Sequence, residues 1–143
     1  MLYSKIGDIG PERSALESGL ANYFVASYAD SPKIYRKSYG TPMNLEEAKN
    51  IRPVTGPDDR VGESWASFFF HLRQTIGRET IDKAVFKAWF QLPKEAADQS
   101  LPTDMMAKLL ERLAPAPGSP SRAVLIKLAQ QHGAPLPRSA QGK

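Results

Sequence analysis

Cysteine is absent from the chain, which excludes disulfides, thiolate zinc sites and a cysteine nucleophile, and fits a reducing cytosol. Histidine occurs only at His71 and His132, so no His-Glu-x-x-His element exists anywhere in the sequence. No segment reaches the roughly 18 apolar residues needed to span a bilayer. The first residues, Met1-Leu2-Tyr3-Ser4-Lys5-Ile6-Gly7-Asp8-Ile9-Gly10, contain no apolar stretch of signal-peptide type. A cytoplasmic location without a membrane partner is therefore expected. Strand alternation does not persist in any window, and there is no internal repeat, glycine-rich phosphate loop, dinucleotide fingerprint or defensible pair of catalytic carboxylates. No cofactor and no metal are expected.

What is present is the composition of an ordinary globular domain. The 143 residues suit a single modest core, and 41% hydrophobic with 24% charged residues argues against disorder. Twelve prolines and ten glycines predict several short elements with definite breaks. The net charge of +4 mildly favours acidic partners, although the 19 basic residues are interspersed with 15 acidic ones.

Helical periodicity dominates, and the expected architecture is all-α: one compact domain of five to six helices over residues 1–134, with a flexible tail at 135–143. Pro11 suits the first turn of a helix, because its missing N–H costs nothing there. Leu16, Leu20, Tyr23, Phe24 and Tyr28 give that helix its apolar face. Asp30-Ser31-Pro32 stops it. Residues 33–58 read as a long loop with a short helix over Leu45–Asn50; such a loop hints at a former binding surface. A strong helix is expected from about Val61 to Ile76, with Asp58 and Asp59 at its positive end and Gly77 as its stop. The helix near Glu79–Leu92 is apolar on two sides: Ile81, Val85, Ala88 and Leu92 form one stripe, Phe86 and Phe90 another. Thr103 is expected to cap a helix presenting Met105, Met106, Leu109, Leu110 and Leu113. Ser119 and Pro120 open a last helix that buries Val124, Leu125 and Leu128 and ends at Gly133, after a stiff linker over residues 114–118.

Two blocks carry a resemblance. Glu17-Ser18-Gly19-Leu20-Ala21-Asn22-Tyr23 is similar to the Ser-Glu-Gly-x-Ala-Asp-Tyr helix of gluzincin-type zinc metallopeptidases, the thermolysin- and fungalysin-like group. Gly62-Glu63-Ser64-Trp65-Ala66-Ser67-Phe68-Phe69-Phe70-His71-Leu72-Arg73 resembles a later pattern of the same group, Asp-x-His-x-x-Gly-Glu-x-Trp-Ala-x-x-Leu-Trp-Asp-Leu-Arg. The resemblance covers residues 15–92 and implies the C-terminal lobe of such a peptidase. It also implies loss of the chemistry. Ser18 stands where the third zinc ligand would be, and serine is a poor zinc ligand. Asn22 replaces an Asp and cannot make the carboxylate bond to a metal-bound imidazole. Asp59 takes the place of the oxyanion-stabilising His, where its charge would repel the oxyanion. Glu17 lies about 100° round the helix from the ligand position.

The expectation is a non-catalytic helical domain, derived from such a lobe, that acts by binding a protein. Phe70, Phe86 and Phe90 lie outside the main apolar stripes and form the candidate interaction surface: either their helices are central, or a partner covers them. An alternative is one half of a split or truncated peptidase that needs a separate His-Glu-x-x-His chain; Met1 lies just upstream of the helix that follows that element in the family. A nucleic-acid accessory is a weaker third reading. It rests on the interleaved basic and aromatic residues of Lys33-Ile34-Tyr35-Arg36-Lys37-Ser38-Tyr39, which read better as a surface loop. His71 is expected as a hydrogen-bonded structural residue, and His132 as a cation at a helix C-terminus. Glu17 is expected on a solvated helix face.

Overall fold

Five helices organise the residues that the computed structural model describes, namely 10–34, 43–46, 51, 59–92, 97–113 and 120–137. They are α1 (Pro11–Ala29), α2 (Asp59–Ile76), α3 (Arg78–Phe90), α4 (Leu101–Leu113) and α5 (Pro120–His132). The all-α expectation holds. The extended backbone among the described residues is one minimal antiparallel pairing, β1 (Lys33–Ile34) with β2 (Met43–Asn44).

Local sequence accounts for most helix ends. Pro11 opens α1, but its N-cap, Gly10, has no side chain to cap with. The Asp98 carboxylate does so from far along the chain, accepting the N–H groups of Glu12 at 3.0 Å and Arg13 at 2.9 Å. A side chain at position 10 would collide with that carboxyl group. Such a cap stabilises by about 1 kcal/mol, and its charge also suits the positive helix end. At the other end Asp30 turns left-handed at φ 55°, and the Ser31 N–H reaches back to the Ala26 carbonyl. Gly77, at φ +129°, is the single residue between α2 and α3, a conformation that favours glycine.

Two boundaries differ from expectation. Helix α4 begins at Leu101, so Thr103 lies inside its first turn and is not its cap. The preceding 3-10 turn, Asp98–Ser100, runs straight into the helix through the Leu101 N–H to Asp98 carbonyl bond, which starts the winding early. The tail is also not free at its beginning, because Leu136 packs against the core and Ala134 is buried. Leu45 and Glu46 form a turn; the rest of the short helix expected there, 47–50, lies outside the described residues, as do the 114–118 linker, Ser119 and the tail beyond 137.

Helix α2 is central, packing on α1, α3 and α5. It runs parallel to α1, with Ser18 beside Gly62 and Ser27 beside Arg73. A parallel neighbour requires the connection to travel back along the whole helix. For the 19 residues of α1 that is about 28 Å. Such a return takes roughly nine residues of extended chain, so the segment from Ser31 to Asp58 is more than long enough to make it. Helix α3 returns antiparallel to α1, with Trp89 near Arg13 and Asp82 near Ser27.

The α1–α2 contact depends on residues without bulk. A Cβ added at Gly19 would lie 2.5 Å from the Trp65 Cβ and 3.0 Å from the Gly62 carbonyl oxygen; one added at Gly62 would lie 2.6 Å from the Ser18 Oγ. Around this crossing the rings form a continuous seam. Phe24 meets Tyr23 at 5.2 Å, Tyr23 meets Phe69 at 5.8 Å, Phe69 meets Trp65 at 5.7 Å, and Trp65 meets Phe68 at 6.2 Å between centroids. All the helices contribute to this one core, through Leu16, Trp65, Ile81, Met105 and Leu125 among others.

Replacing Gly19 by Ala tests the crossing. On a free helix surface that change stabilises by about 1 kcal/mol. Here the overpacking against Trp65 is expected to reverse the sign and destabilise the fold by about 1–3 kcal/mol in urea unfolding.

Candidate functional site

The three positions singled out by the peptidase resemblance do not build a reactive centre among the described residues. Ser18 is half-buried against Gly62 and serves the α1–α2 contact. Asn22 is half-buried on α1, and Asp59 heads α2, where its side chain lies outside the described residues. Glu17 is exposed, as expected. Among the described residues no three His, Asp or Glu side chains come together in a way that would hold a metal ion. Of the basic and aromatic run from Lys33 to Tyr39, only Lys33, exposed, and Ile34, buried, are described.

The densest polar cluster lies elsewhere and ties α1, α2 and α3 together. Asp82 accepts the Tyr23 hydroxyl at 2.5 Å and the Ser27 hydroxyl at 2.8 Å, and the Arg78 guanidinium lies 3.8 Å away. Ser27 in turn accepts Arg73 Nε at 3.1 Å, and Arg73 Nη2 pairs with Asp30 at 2.6 Å. Arg73 is buried, with its guanidinium 5.1 Å from the Phe70 ring centroid. Burial, followed by the bond to Asp82, pushes the Tyr23 hydroxyl far above its ordinary pKa of 10.0. Arg73 holds the Asp30 carboxyl below its ordinary 3.8. Both shifts move away from neutrality, the reverse of what proton-transfer catalysis needs. Ser27, itself buried, lies beside a carboxylate but is closed to any substrate. The cluster is a lock between helices. Its trace in the sequence is the polar pair Ser27 and Arg73 on otherwise apolar faces, a signal that periodicity alone passes over.

The two histidines, far apart in sequence, meet. His71 Nδ1 lies 3.1 Å from His132 Nε2, and His71 Nε2 lies 3.1 Å from the Glu46 carbonyl oxygen. His71 is thus a hydrogen-bonded structural residue, as expected. His132 stands in the last turn of α5, at the helix C-terminus as expected, but away from solvent. It is 1% exposed, with its ring 5.6 Å from Phe68, because α5 packs its last turn onto α2. A carbonyl only accepts, so His71 carries a proton on Nε2, and in the Nε2–H tautomer its Nδ1 accepts. In that arrangement His132 donates from Nε2. The Ser67 hydroxyl does not compete, because it donates to the Leu45 carbonyl at 2.8 Å. With the Ile51 N–H bound to the His132 carbonyl at 2.5 Å, these groups fasten Leu45, Glu46 and Ile51 onto α2 and α5.

The candidate interaction residues divide. Phe70 is 2% exposed, so its expected place on a partner surface is wrong: central α2 is enclosed on every side that bears an aromatic. Phe86 and Phe90 are 53% and 69% exposed on peripheral α3, with ring centroids 4.7 Å apart. Tyr28, expected on the apolar core face of α1, is instead 88% exposed, and Val25 is exposed too. Phe24 bridges the two helices, 6.3 Å from Phe86. Together with Asp82, Lys83 and Lys87, Phe24 and Phe86 line a shallow groove of about 270 Å³. Among the described residues, no helix is long and apolar enough to cross a membrane. No protein-family model, curated protein or solved structure matches the chain.

Two measurements check these assignments. A raised Tyr23 pKa means that the folded state holds this proton more tightly than the unfolded one. Its stabilisation is therefore complete below pH 10 and lost as pH rises further. Tyr23→Phe is expected to lower stability at neutral pH by about 1–3 kcal/mol and to flatten the alkaline loss that the wild-type chain shows. Ring ¹⁵N–¹H correlation spectra at neutral pH are expected to show both histidines as Nε2–H tautomers. An Nδ1–H signal from His132 would refute the relay.

Proposed function

We propose that the chain is a non-catalytic helical domain, derived from the C-terminal lobe of a gluzincin-type peptidase, that binds a protein across the α1–α3 face. The observation that carries the binding role is the exposed aromatic pair Phe86 and Phe90; Tyr28 and Val25 are exposed on the neighbouring helix. Phe70 needs no partner to be covered, and among the described residues the exposed large hydrophobics are Val25, Tyr28, Phe86 and Phe90, all on α1 and α3. Bulky side chains grouped on one face, beside a groove, are what binding surfaces present, whereas isolated exposed hydrophobics carry no such meaning. Two features support the lineage: the blocks at residues 15–24 and 62–73 resemble one region of that family, and they pack on each other at Gly19 and Gly62. Loss of catalysis rests on the residues themselves, with Ser18 and Asn22 in place of carboxylates and no His-Glu-x-x-His in the sequence.

Photocrosslinking in the native host tests this reading. Benzoylphenylalanine at position 86 or 90 is expected to yield a discrete protein adduct, and the same probe at exposed Gln130 on α5 is expected to yield none. Absence of adducts at both Phe positions would overturn the binding role. Zinc-stimulated peptide cleavage by the purified chain would overturn the non-catalytic one. An adduct to a zinc-bearing His-Glu-x-x-His chain would make the protein one half of a split peptidase.

A further inference from the structure

We infer that the occupant of the α1–α3 face is an acidic amphipathic helix, seated by apolar side chains on Phe86 and Phe90 and held by its carboxylates to Lys83 and Lys87. This rests on the protein-binding reading and adds the chemistry of the partner.

Shape argues for a helix. α1 and α3 are antiparallel neighbours, and the groove between them is floored by Phe24 and flanked by Phe86. Two packed helices present the kind of furrow into which the side-chain ridge of a third one fits. Phe86 and Phe90 are one turn apart, which matches apolar residues repeating at the same interval on a partner helix.

Charge argues for acid. Among the described residues that line the groove the carboxylate is Asp82, and it is already engaged by Tyr23, Ser27 and Arg78. Lys83 shares an exposed ion pair with Glu79 at 3.3 Å, of the weak kind that a partner's carboxylate displaces readily. Lys87 pairs with no carboxylate among the described residues, although it stands next to Phe86 and lines the groove. The two ammonium groups are one turn apart on the same side as the phenyl rings. A second copy of the chain is a poor occupant, since it would bring Lys83 and Lys87 against their own counterparts in a molecule of net charge +4. An acidic helix meets both requirements at once, and its affinity falls with added salt.

The crosslinking experiment extends to test this. With benzoylphenylalanine at position 90, the full chain is compared with its Lys83→Glu/Lys87→Glu variant, and the crosslinked peptide is sequenced. Both lysines are exposed, so the variant keeps its fold; thermal unfolding verifies this. The expected result is a crosslinked segment with apolar residues at helical spacing and net negative charge, whose adduct yield drops at least tenfold in the variant. An adduct that survives charge reversal, or a neutral or basic crosslinked segment, would overturn the acidic chemistry and leave the binding role standing. An adduct to a second copy of this chain would overturn it in favour of self-association. No adduct in the wild-type chain would overturn the binding role and, with it, this inference.

Discussion

The close approach of α1 and α2 at Gly19 and Gly62 sets the geometry on which the remaining structure depends. A Cβ on either residue would need space already held by Trp65 or Ser18. Once the two backbones come this near in parallel, their relative register is fixed, and the side chains one and two turns further on are brought opposite each other. Tyr23 then stacks edge-on against Phe69, and Ser27 reaches Arg73. The long return from Ser31 to Asp58 follows from the same arrangement, because parallel helices adjacent in sequence cannot be joined by a tight turn.

Polar groups convert that register into a specific one. Apolar packing alone tolerates sliding by a turn; the chain of bonds from Asp82 through Ser27 to Arg73 and Asp30 does not. Removing one member would leave a buried guanidinium or hydroxyl without its partner, a penalty larger than the net gain from forming the bond. The cluster therefore specifies the arrangement of α1, α2 and α3 more than it adds stability. The same hydrogen bonds make it chemically quiet, since Ser27 and Arg73 are buried and Asp82, the member that borders the groove, is already engaged by Tyr23, Ser27 and Arg78. The histidine relay acts in the same way at the far side of α2, where it holds the returning segment in place.

The element order was largely legible in the sequence. Pro11, the Asp30-Ser31-Pro32 stop, Gly77, Pro120 and Gly133 mark helix ends by backbone chemistry, which is local and so can be read locally. Periodicity also identified the apolar stripes of α2 and α3. It could not say which stripes would find a neighbour inside the chain, because that depends on contacts between distant segments. Phe70 and Phe86 carry the same signal in sequence; one lies in a helix surrounded by three others, the other at the edge. The Asp98 cap of α1 and the meeting of His71 with His132 were illegible for the same reason, each joining residues separated by much of the chain. Of the candidate site, Phe86 and Phe90 were visible as surplus aromatics, whereas Tyr28 was placed on the wrong side of α1.

That division explains why the open face lies where it does. Helix α2 packs on α1, α3 and α5, and its aromatic residues Trp65, Phe68, Phe69 and Phe70 are all buried. Helix α3 packs on α2 and α4, buries the stripe of Ile81, Val85 and Ala88, and meets α1 through Asp82, Phe86 and Trp89. Its second stripe keeps the Phe24 ring beside Phe86 but leaves Phe86 and Phe90 more than half exposed. The aromatic seam that begins in the core at Trp65 and Phe69 passes through Tyr23, Phe24 and Phe86 and reaches solvent at Phe90. A seam that ends in water leaves apolar area unburied on the isolated chain, and a third helix laid along α1 and α3 would bury it. The surface is therefore continuous with the core in packing, and whatever closes it adds to the same hydrophobic core that holds α1 on α2.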